Sequence, residues 1–488
     1  MRSSGRTGFV LAVNEVLNDI LVPRYYDPFV TDRLKELSKT HELVSIAELV
    51  DRGELSLAQG NYIGKIHYGT GPFPYIRTSD IANWELRASP KHGVSAEVFN
   101  LYAKKQDLRS GDVLLVHEGT YLIGTSCLIT EFDTRVLFQH HLARLRLNSP
   151  GTLTPALLMA SLSAPVVQRQ IRSKQLTADI IDSIVGRLPE IVLPIPKSPS
   201  VCESIAAEAA EVYGGRARAR VHMSSLLGQL EERLRAGTKP EPNLDAGLEF
   251  SMLGGHLRYS QFTVRSTSVR SDILIPRYYD PTVDVDLAAL ARTCHLVAIG
   301  ELTRNGTLEL QTGHEPGKLE YGFGSVSFIR TSDFANWELK HDPKQRVSQN
   351  VFDTYSAKQS ARPGDILLVR DGTYLVGSSV MVQSSDVPLL FSGGIYRIRA
   401  LKPDVDPFVL FALLNLPIVR RQMRNKQFTR DVIDTLGHRF EEVVLPFPKD
   451  AHLSASLSER MRGLLAARET LRVRALSLGS QLESLAAG

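Results

Sequence analysis

The sequence predicts an α+β molecule of two tandem α/β globules alternating with two long helices that pair as an antiparallel coiled coil, pseudo-twofold symmetric. Three observations predict it. A duplication runs through the chain, each copy opens with a mixed stretch rich in Gly, Pro and β-branched residues, and each closes on a proline-free heptad segment.

The duplication is read from collinear blocks. Asp-Ile-Leu-Val-Pro-Arg-Tyr-Tyr-Asp-Pro at 19–28 returns, with Ile for Val, at 272–281. Ile-Arg-Thr-Ser-Asp-Ile-Ala-Asn-Trp-Glu-Leu at 76–86 returns at 329–339, and the Gly-Asp-Val-Leu-Leu-Val block at 111–124 returns at 364–377, always 253 residues on (272 − 19). Lys174-Gln175 matches Lys426-Gln427, and Leu-Pro-Ile-Pro at 193–196 matches Leu-Pro-Phe-Pro at 445–448, 252 on (426 − 174). One residue is therefore missing from the second copy, between about Leu147 and Pro407.

Within each copy the elements follow one order. Residues 112–116 and 365–369, each followed by Gly-Thr-Tyr, read as a strand, a turn and another strand. Residues 137–147 alternate at period two and read as a further strand. Residues 155–174 and 407–426 read as helices opening on a proline in the first turn.

From about 200 to 234 and from 454 to 485, Ala, Leu, Arg and Glu dominate. Leu457, Met461, Leu464, Arg468, Leu471, Ala475, Leu478, Leu482 and Leu485 fall on alternating four- and three-residue steps, and Ile205, Ala209, Val212, Arg216, Ala219, Met223, Leu226, Leu230 and Arg233 match them in the first copy. Gly214-Gly215 interrupts the first seam near its centre. Arg216 and Arg468 either fix the register of the seam or snorkel out of it.

At 1.5 Å per residue each helix is roughly 50 Å long. The expected boundaries are a first globule at 8–197, a helix at 198–235, a linker at 236–255 carrying Pro240 and Pro242, a second globule at 256–449 and a helix at 450–488. Such an arrangement places the globules at opposite ends of a helical ruler.

Composition bounds the function. The chain has 488 residues, and 57 Lys+Arg against 53 Asp+Glu leave a net charge of +4, too small to mark a nucleic-acid binder by itself. A 43% hydrophobic content excludes disordered and fibrous classes, and no apolar run reaches the roughly 18 residues of a membrane span. Cys127, Cys202 and Cys294 stand in no disulfide or zinc spacing, which suits a cytoplasmic protein.

The Gly60 to Lys65 and Gly313 to Lys318 turns look like phosphate loops. They hold three residues between the glycines, and Ile66 and Leu319 where Ser or Thr would hold magnesium, so they read as tight turns. No nucleophile elbow, zinc-protease helix, paired-carboxylate nuclease pattern or Asn/Asp-Pro-Pro-Tyr/Phe tetrapeptide is present. His140-His141 answers to Gly393-Gly394, which argues against a metal pair.

The matched positions point to DNA instead. Arg77 and Arg330 suit a phosphate or a guanine edge, and Thr78, Ser79, Thr331 and Ser332 suit phosphate oxygens. The alternative is that each arginine pairs with the neighbouring Asp80 or Asp333, which read as turn caps. Trp84 and Trp337 read as core anchors rather than stacking platforms.

Basic residues with tyrosines nearby gather at Lys91, His92, Lys104 and Lys105, and at Lys344, Arg346 and Lys358. Arg420, Arg421, Arg424, Lys426 and Arg430 form a further run, with Arg169, Arg172 and Lys174 as its thinner counterpart. Lys65, Tyr68, Tyr121, His140, Lys318, Tyr321 and Tyr374 complete the candidate DNA-contact set. Positions that differ between copies are candidates for reading different bases: His117 against Arg370, Glu118 against Asp371, His92 against Gln345, Thr70 against Phe323, and the His140-His141 pair.

With two such globules, each followed by a long helix, the Gly-Asp-(Val/Ile)-Leu-Leu-Val…Gly-Thr-Tyr-Leu-(Ile/Val)-Gly blocks and the closing Leu-Pro-Ile-Pro and Leu-Pro-Phe-Pro, the chain resembles the DNA-specificity (S) subunit of type I restriction-modification systems. The resemblance implies that the globules are target-recognition domains and that the subunit does no chemistry itself. It would bind a bipartite site on double-stranded DNA and dock two DNA adenine methyltransferase subunits, with nuclease-translocase subunits joining for restriction.

Adenine N6-methylation with S-adenosylmethionine would then occur in the partners after base flipping, and ATP with Mg would serve restriction there; the chain itself would hold no cofactor. Because the copies are so alike, the expected half-sites are related inverted sequences. Two alternatives stay open: a recognition subunit of another phage-defence methylation system, and a stand-alone sequence-specific DNA-binding regulator. A single-chain methyltransferase-nuclease would need the missing tetrapeptide.

Overall fold

The computed structural model describes residues 20–149, 151, 153–177, 181–239, 262–322, 324–372, 374–430 and 433–484. Most of the expected linker at 236–255, together with Phe323 and Leu485, lies outside the described residues. Helices of the first half are α1 (Pro28–Leu37), α2 (Ile46–Asp51), α3 (Ala96–Gln106), α4 (Pro155–Leu162), α5 (Pro165–Ser173) and the long α6 (Pro199–Leu234). The second half repeats them as α7 (Pro281–Leu290), α8 (Ile299–Arg304), α9 (Gln349–Gln359), α10 (Pro407–Leu414), α11 (Pro417–Asn425) and α12 (Ala451–Ser484).

Each globule is built on a four-stranded antiparallel sheet. In the first, Leu55–Gln59, Leu142–Leu147, Val113–Val116 and Ser126–Leu128 lie side by side. In the second, the order is Leu308–Thr312, Ile395–Ala400, Ile366–Val369 and Ser379–Met381. The central run is apolar throughout because it is covered on both faces. Val113 and Leu115 meet the main core with Leu145 and Leu157, while Leu114 and Val116 meet a smaller core with Ile81, Leu86 and Phe138.

A three-stranded mixed sheet stands beside it: Leu137–Phe138, Phe73–Ile76 and Gly93–Val94, matched by Leu389–Phe391, Val326–Ile329 and Gln345–Val347. Two sequence expectations break here. Residues 137–147 are not one strand: the chain turns at Gln139, where the Leu142 amide donates to the Gln139 carbonyl, and passes from the small sheet to the large one. Residues 155–174 and 407–426 each form two helices, because Pro165 and Pro417 cannot continue the preceding ladder and start a new helix instead.

The long helices run antiparallel. Arg474 pairs with Glu211 at 2.8 Å and Arg468 Nη1 donates to the Arg216 carbonyl at 3.4 Å, so later residues of one helix meet earlier residues of the other. Cys202, Ile205, Ala209, Val212 and Tyr213 of α6 share the first core with Ala475, Leu478 and Leu482 of α12. Met223, Leu226, Leu230 and Leu234 share the second core with Leu457, Met461 and Leu465. Each globule therefore closes over both helices, one globule at each end.

Carboxylates tie the crossed ends down. Glu231 accepts from the Ile418 amide at the start of α11 (3.0 Å), and Glu483 accepts from the Val166 amide at the start of α5 (2.7 Å).

The seam differs from the heptad reading in detail. Leu465 and Arg472 are buried where Leu464 and Leu471 were expected, and Arg233 is exposed. Each helix buries a broad face against a globule as well as against its partner, so the stripe is wider than a two-position seam. Gly214-Gly215 leaves α6 unbroken. A Cβ on Gly215 would stand 3.1 Å from Leu471 Cδ2, so the glycine lets the two helices approach closely. No helix among the described residues is long and apolar enough to cross a membrane.

Candidate nucleic-acid interface

The Ile-Arg-Thr-Ser-Asp blocks each place a single 3-10 turn, Thr78–Asp80 and Thr331–Asp333, after a strand of the small sheet. Asp80 accepts from the Arg77 amide at 3.0 Å and Asp333 from the Arg330 amide at 2.9 Å. Both carboxylates are buried, and burial raises their pKa against the lowering of those bonds. The aspartates are turn caps, as expected, and neither pairs with its arginine's guanidinium. That leaves both guanidiniums for other uses.

The two uses differ. Arg77 is half-buried; its Nη1 lies 3.3 Å from His92 Nε2, and its Nε is buried with no hydrogen-bond partner. His92 in turn lies against Tyr68, ring centroids 4.4 Å apart. Burial, with the charges of Lys91 and Arg77, pushes His92 down to about 4, so its neutral Nε2 accepts from Arg77 at neutral pH. Arg330 is exposed and makes no side-chain hydrogen bond among the described residues.

The two globules come together on the pseudo-dyad. Lys91 Nζ sits over the Tyr374 ring at 5.2 Å, and Lys344 Nζ over the Tyr121 ring at 4.9 Å. These four residues are equivalent in pairs, so the contact is reciprocal. It joins Lys91 and its neighbours Tyr68, Arg77 and His92 of one globule to Tyr374 of the other, and Lys344 to Tyr121, in a single strip.

Beneath the strip lies a second reciprocal contact that the sequence did not disclose. The hairpins Ile81–Ala82/Glu85–Leu86 and Phe334–Ala335/Glu338–Leu339 meet tip to tip. Asn83 Nδ2 donates to the Leu339 carbonyl (2.9 Å), and Asn336 Nδ2 to the Leu86 carbonyl (2.8 Å). Trp84 packs at the rim of its core, as expected, and also stacks on His341 of the other globule at 4.2 Å.

Arg216 and Arg468, 1% and 0% exposed, lie under the hairpins and do not snorkel. Arg216 Nη2 reaches Glu338 at 2.6 Å and Glu85 at 3.1 Å; Arg468 Nη2 reaches Glu85 at 2.5 Å and Glu338 at 3.0 Å. Burial alone would raise the Glu338 carboxyl, but the two guanidiniums outweigh it and hold it at about 2. Arg220 with Asp133 (2.6 Å) and Arg472 with Asp386 (2.7 Å) flank the quartet symmetrically.

Other candidates fall into two groups. Lys65, Lys104, Lys105, Lys318, Lys358 and Arg424 are exposed, and Thr78, Ser79, Thr331 and Ser332 are at least partly so. Arg346 is exposed, with Nη1 donating to the Ser325 carbonyl at 3.2 Å. His140 is half-buried between Tyr62 and His141.

The second group is spent on the fold. His117 is 1% exposed, bonding the His140 carbonyl at 2.8 Å, so it faces no partner. Arg370 is forked onto Asp371 (2.6 Å), Lys174 pairs with Glu190 (2.7 Å) and Lys426 with Glu442 (3.0 Å), while Tyr321 donates to Glu315. The basic run after α11 is likewise internal in large part. Arg420 donates to the Gly377 carbonyl and burial pushes it down to about 10, and Arg421 pairs with Asp286 at 3.0 Å. The side chain of Arg430 lies outside those described.

The phosphate-loop look-alikes are extended segments that cross a neighbouring strand closely, where tight turns were expected. A Cβ on Gly60 or Gly313 would come within 2.3 Å of the Phe138 carbonyl oxygen or 2.2 Å of that of Phe391, so only glycine lets the backbones pass. Two residues that the sequence reading took only as departures from the phosphate-loop pattern stand out beside them. Ile66 and Leu319 are equivalent, both exposed (Leu319 by 93%), and each follows an exposed lysine. An apolar residue kept in a Gly-rich turn of both copies was the available signal. Among the described residues, no group of three His, Cys, Asp or Glu is placed to hold a metal.

Three solved structures match the chain along most of its length. One is a type I restriction-modification system S subunit from M. genitalium, 13% identical, with 91% of this chain and 94% of that chain covered at a TM-score of 0.32. A second comes from work on complex assembly and conformational transition of the type I R-M system (14% identity, 92% and 97% covered, TM-score 0.26). The third is the HsdS subunit from Thermoanaerobacter tengcongensis (15% identity, 89% and 94% covered, TM-score 0.26). No family model and no curated protein matches. With likenesses this distant, the functional reading rests on the chain's own geometry.

Proposed function

We propose that this chain is a non-catalytic recognition subunit that reads a bipartite site on double-stranded DNA, one half-site per globule, in the manner of the type I S subunits it resembles. The observation that carries the reading is the strip across the pseudo-dyad. Cations and aromatic rings from two equivalent globules form one surface, joined by the reciprocal Lys91–Tyr374 and Lys344–Tyr121 contacts. Duplex DNA is itself close to twofold symmetric, so two related faces at a fixed offset engage two half-sites. The exposed Arg330, Lys65 and Lys318 suit phosphates or guanine edges.

Methylation and cleavage belong, in this reading, to partner subunits. Two adenine methyltransferase subunits would carry S-adenosylmethionine, and nuclease-translocase subunits would use ATP with Mg. The test is adenine-methylation mapping in a host that expresses this chain with its neighbouring methyltransferase, against a host lacking the chain. A gapped motif that appears only with the chain is the expected result. Absence of any chain-dependent motif, with a stable complex formed, would overturn the reading.

A further inference from the structure

We infer that Ile66 and Leu319 are wedges: on binding, each enters the stack of duplex DNA at one base step of its own half-site, while Lys65 and Lys318 hold the phosphates beside that step. The inference rests on the recognition reading above and names residues that act on the shape of the bound DNA.

Both side chains stand on a single 3-10 turn, Lys65–His67 in the first globule and Lys318–Glu320 in the second. Ile66 is 40% and Leu319 93% exposed, so the leucine forgoes nearly all the stabilisation that burial would give it. Single exposed apolar residues are ordinary on a protein surface. These two occupy equivalent positions, and each follows an exposed lysine that makes no ion pair among the described residues. An apolar tip beside an unpaired cation fits a target that is apolar between its planes and anionic along its edge. Stacked bases flanked by phosphates are such a target.

The turns are braced against their own globules. In the first, the Asn61 amide donates to the Phe138 carbonyl at 3.2 Å, the Tyr75 hydroxyl donates to the Asn61 carbonyl at 2.8 Å, and Ile63 is buried in a small core with Tyr75 and Val94. The turn closes where the His67 amide meets the Gly64 carbonyl (3.0 Å) and the Tyr68 amide the Lys65 carbonyl (3.1 Å). In the second, the His314 amide donates to the Phe391 carbonyl at 3.2 Å, and Tyr321 stacks on Phe328 with ring centroids 5.0 Å apart. A side chain held this way meets DNA with its ordering cost already met.

Both tips are continuous with the strip across the pseudo-dyad. Tyr68, next after the first turn, lies on His92, whose neighbour Lys91 reaches Tyr374. After the second turn, the Gly322 amide donates to the Arg346 carbonyl at 3.0 Å, two residues on from Lys344, which reaches Tyr121.

A thymine methyl is the other apolar feature that DNA offers such a residue. Contact with a methyl covers one side of a leucine, whereas insertion between two bases covers opposite sides. Leu319 stands clear on every side, which suits insertion. Apolar wedges of this kind enter from the minor groove and kink the duplex by roughly 20–90°. The copies differ in degree. Ile66 is the more covered of the two, and Glu320 follows Leu319 where His67 follows Ile66, so the second tip relies more on its apolar side chain and less on charge.

The experiment uses the full chain in complex with its neighbouring methyltransferase, and a pool of random-sequence duplexes from which the bound sequence is recovered. That duplex is rebuilt with a single-strand nick moved one step at a time, and the affinity for each is measured. A nick loosens stacking and bending at its own step without changing a base, so it favours a protein that opens that step. The wild type is expected to bind about tenfold tighter when the nick falls at one particular step in each half-site.

Leu319→Ala should lose that preference in one half-site and keep it in the other, Leu319→Phe should restore it, and Ile66→Ala should weaken it in the opposite half-site. Because Leu319 is almost wholly exposed, Leu319→Ala is expected to fold and unfold as the wild type does. A wild-type profile without preferred steps overturns the inference, as does a Leu319→Ala profile identical to the wild type. A Leu319→Ala variant that only ceases to prefer thymine at one position would make the leucine a reader of the methyl group, and overturns the wedge. A wild-type complex that enriches no sequence at all overturns the recognition reading itself, a different outcome from any of these.

Discussion

The two globules share a skeleton and differ on one face. Where the first carries His92 against Arg77, the second has Gln345 and leaves Arg330 in the open. In the first, Tyr62 meets His140 edge-on and His140 lies tilted against His141, with His141 Nδ1 at 2.8 Å from Glu118; the second has Glu315, Gly393 and Gly394 there. The residues shared by both copies, Asp80 and Asp333, Asn83 and Asn336, Glu85 and Glu338, went to turns and to the dyad. Divergence between the copies therefore gathers on the face, which also keeps Arg77 and Arg330, Lys91 and Lys344, and Lys65 and Lys318 in common, while the frame is made of shared residues. His117 and Arg370 differ and are nonetheless both engaged internally.

The frame offers the largest effects. Arg468→Ala leaves two carboxylates sharing one guanidinium in a dry site, and about 3–5 kcal/mol of stability is expected to be lost in urea unfolding. Arg216→Ala should lose a similar amount. A silent variant at one of the two positions would break the symmetry argued for the dyad.

On the faces, Arg330→Ala is expected to weaken DNA binding by about 1–3 kcal/mol while changing unfolding by less than about 0.5 kcal/mol. Arg77→Ala, which also strips His92 of its partner, should lower both. Unchanged binding of Arg330→Ala across salt concentrations would remove that arginine from the interface.

The equivalent exposed lysines sharpen the comparison further. Lys65→Ala and Lys318→Ala should each reduce the slope of log affinity against log salt by about 1, whatever the sequence bound. A change confined to one DNA sequence would mean that the lysine reads a base.

The smallest effect separates the faces by pH. His92 stays neutral in the folded chain down to about 4, whereas an unfolded histidine takes its proton near 6.5. The unfolded state binds more protons between these values, so folding stability falls as the pH drops through that window. His92→Gln, the residue of the second copy, should reduce the loss between pH 7 and 5 by about 1 kcal/mol, solvent at a half-exposed ring trimming the full linkage value. Thermal unfolding at the two pH values measures it. His117, His140 and His341 are also pushed down by burial, so a residual slope should remain.

Much of the frame was legible in the residues. The repeat announced two like globules, the seam through Ile205, Val212, Met223 and Leu230 announced a helix pair, and the alternation of globules with helices gave the pair its antiparallel direction. Less of the face was legible. Lys174, Lys426 and Arg370 look like surface cations in sequence, and only folding brings Glu190, Glu442 and Asp371 within reach. The dyad was invisible for the same reason: Asn-Trp-Glu is polar enough to suit a DNA surface, and nothing local states that its partner is its own copy. The breaks at Pro165 and Pro417 were legible, and the longer helices gave them too little weight.

Each hairpin grips the other with the same atoms, as Asn83 does Leu339 and Asn336 does Leu86. That is the isologous, self-complementary contact by which two identical subunits form a closed dimer. The molecule has the geometry of a homodimer whose protomers have been joined into one polypeptide. In two separate protomers every substitution appears on both faces at once; in one polypeptide each face changes independently, and only the contact itself still ties the two together.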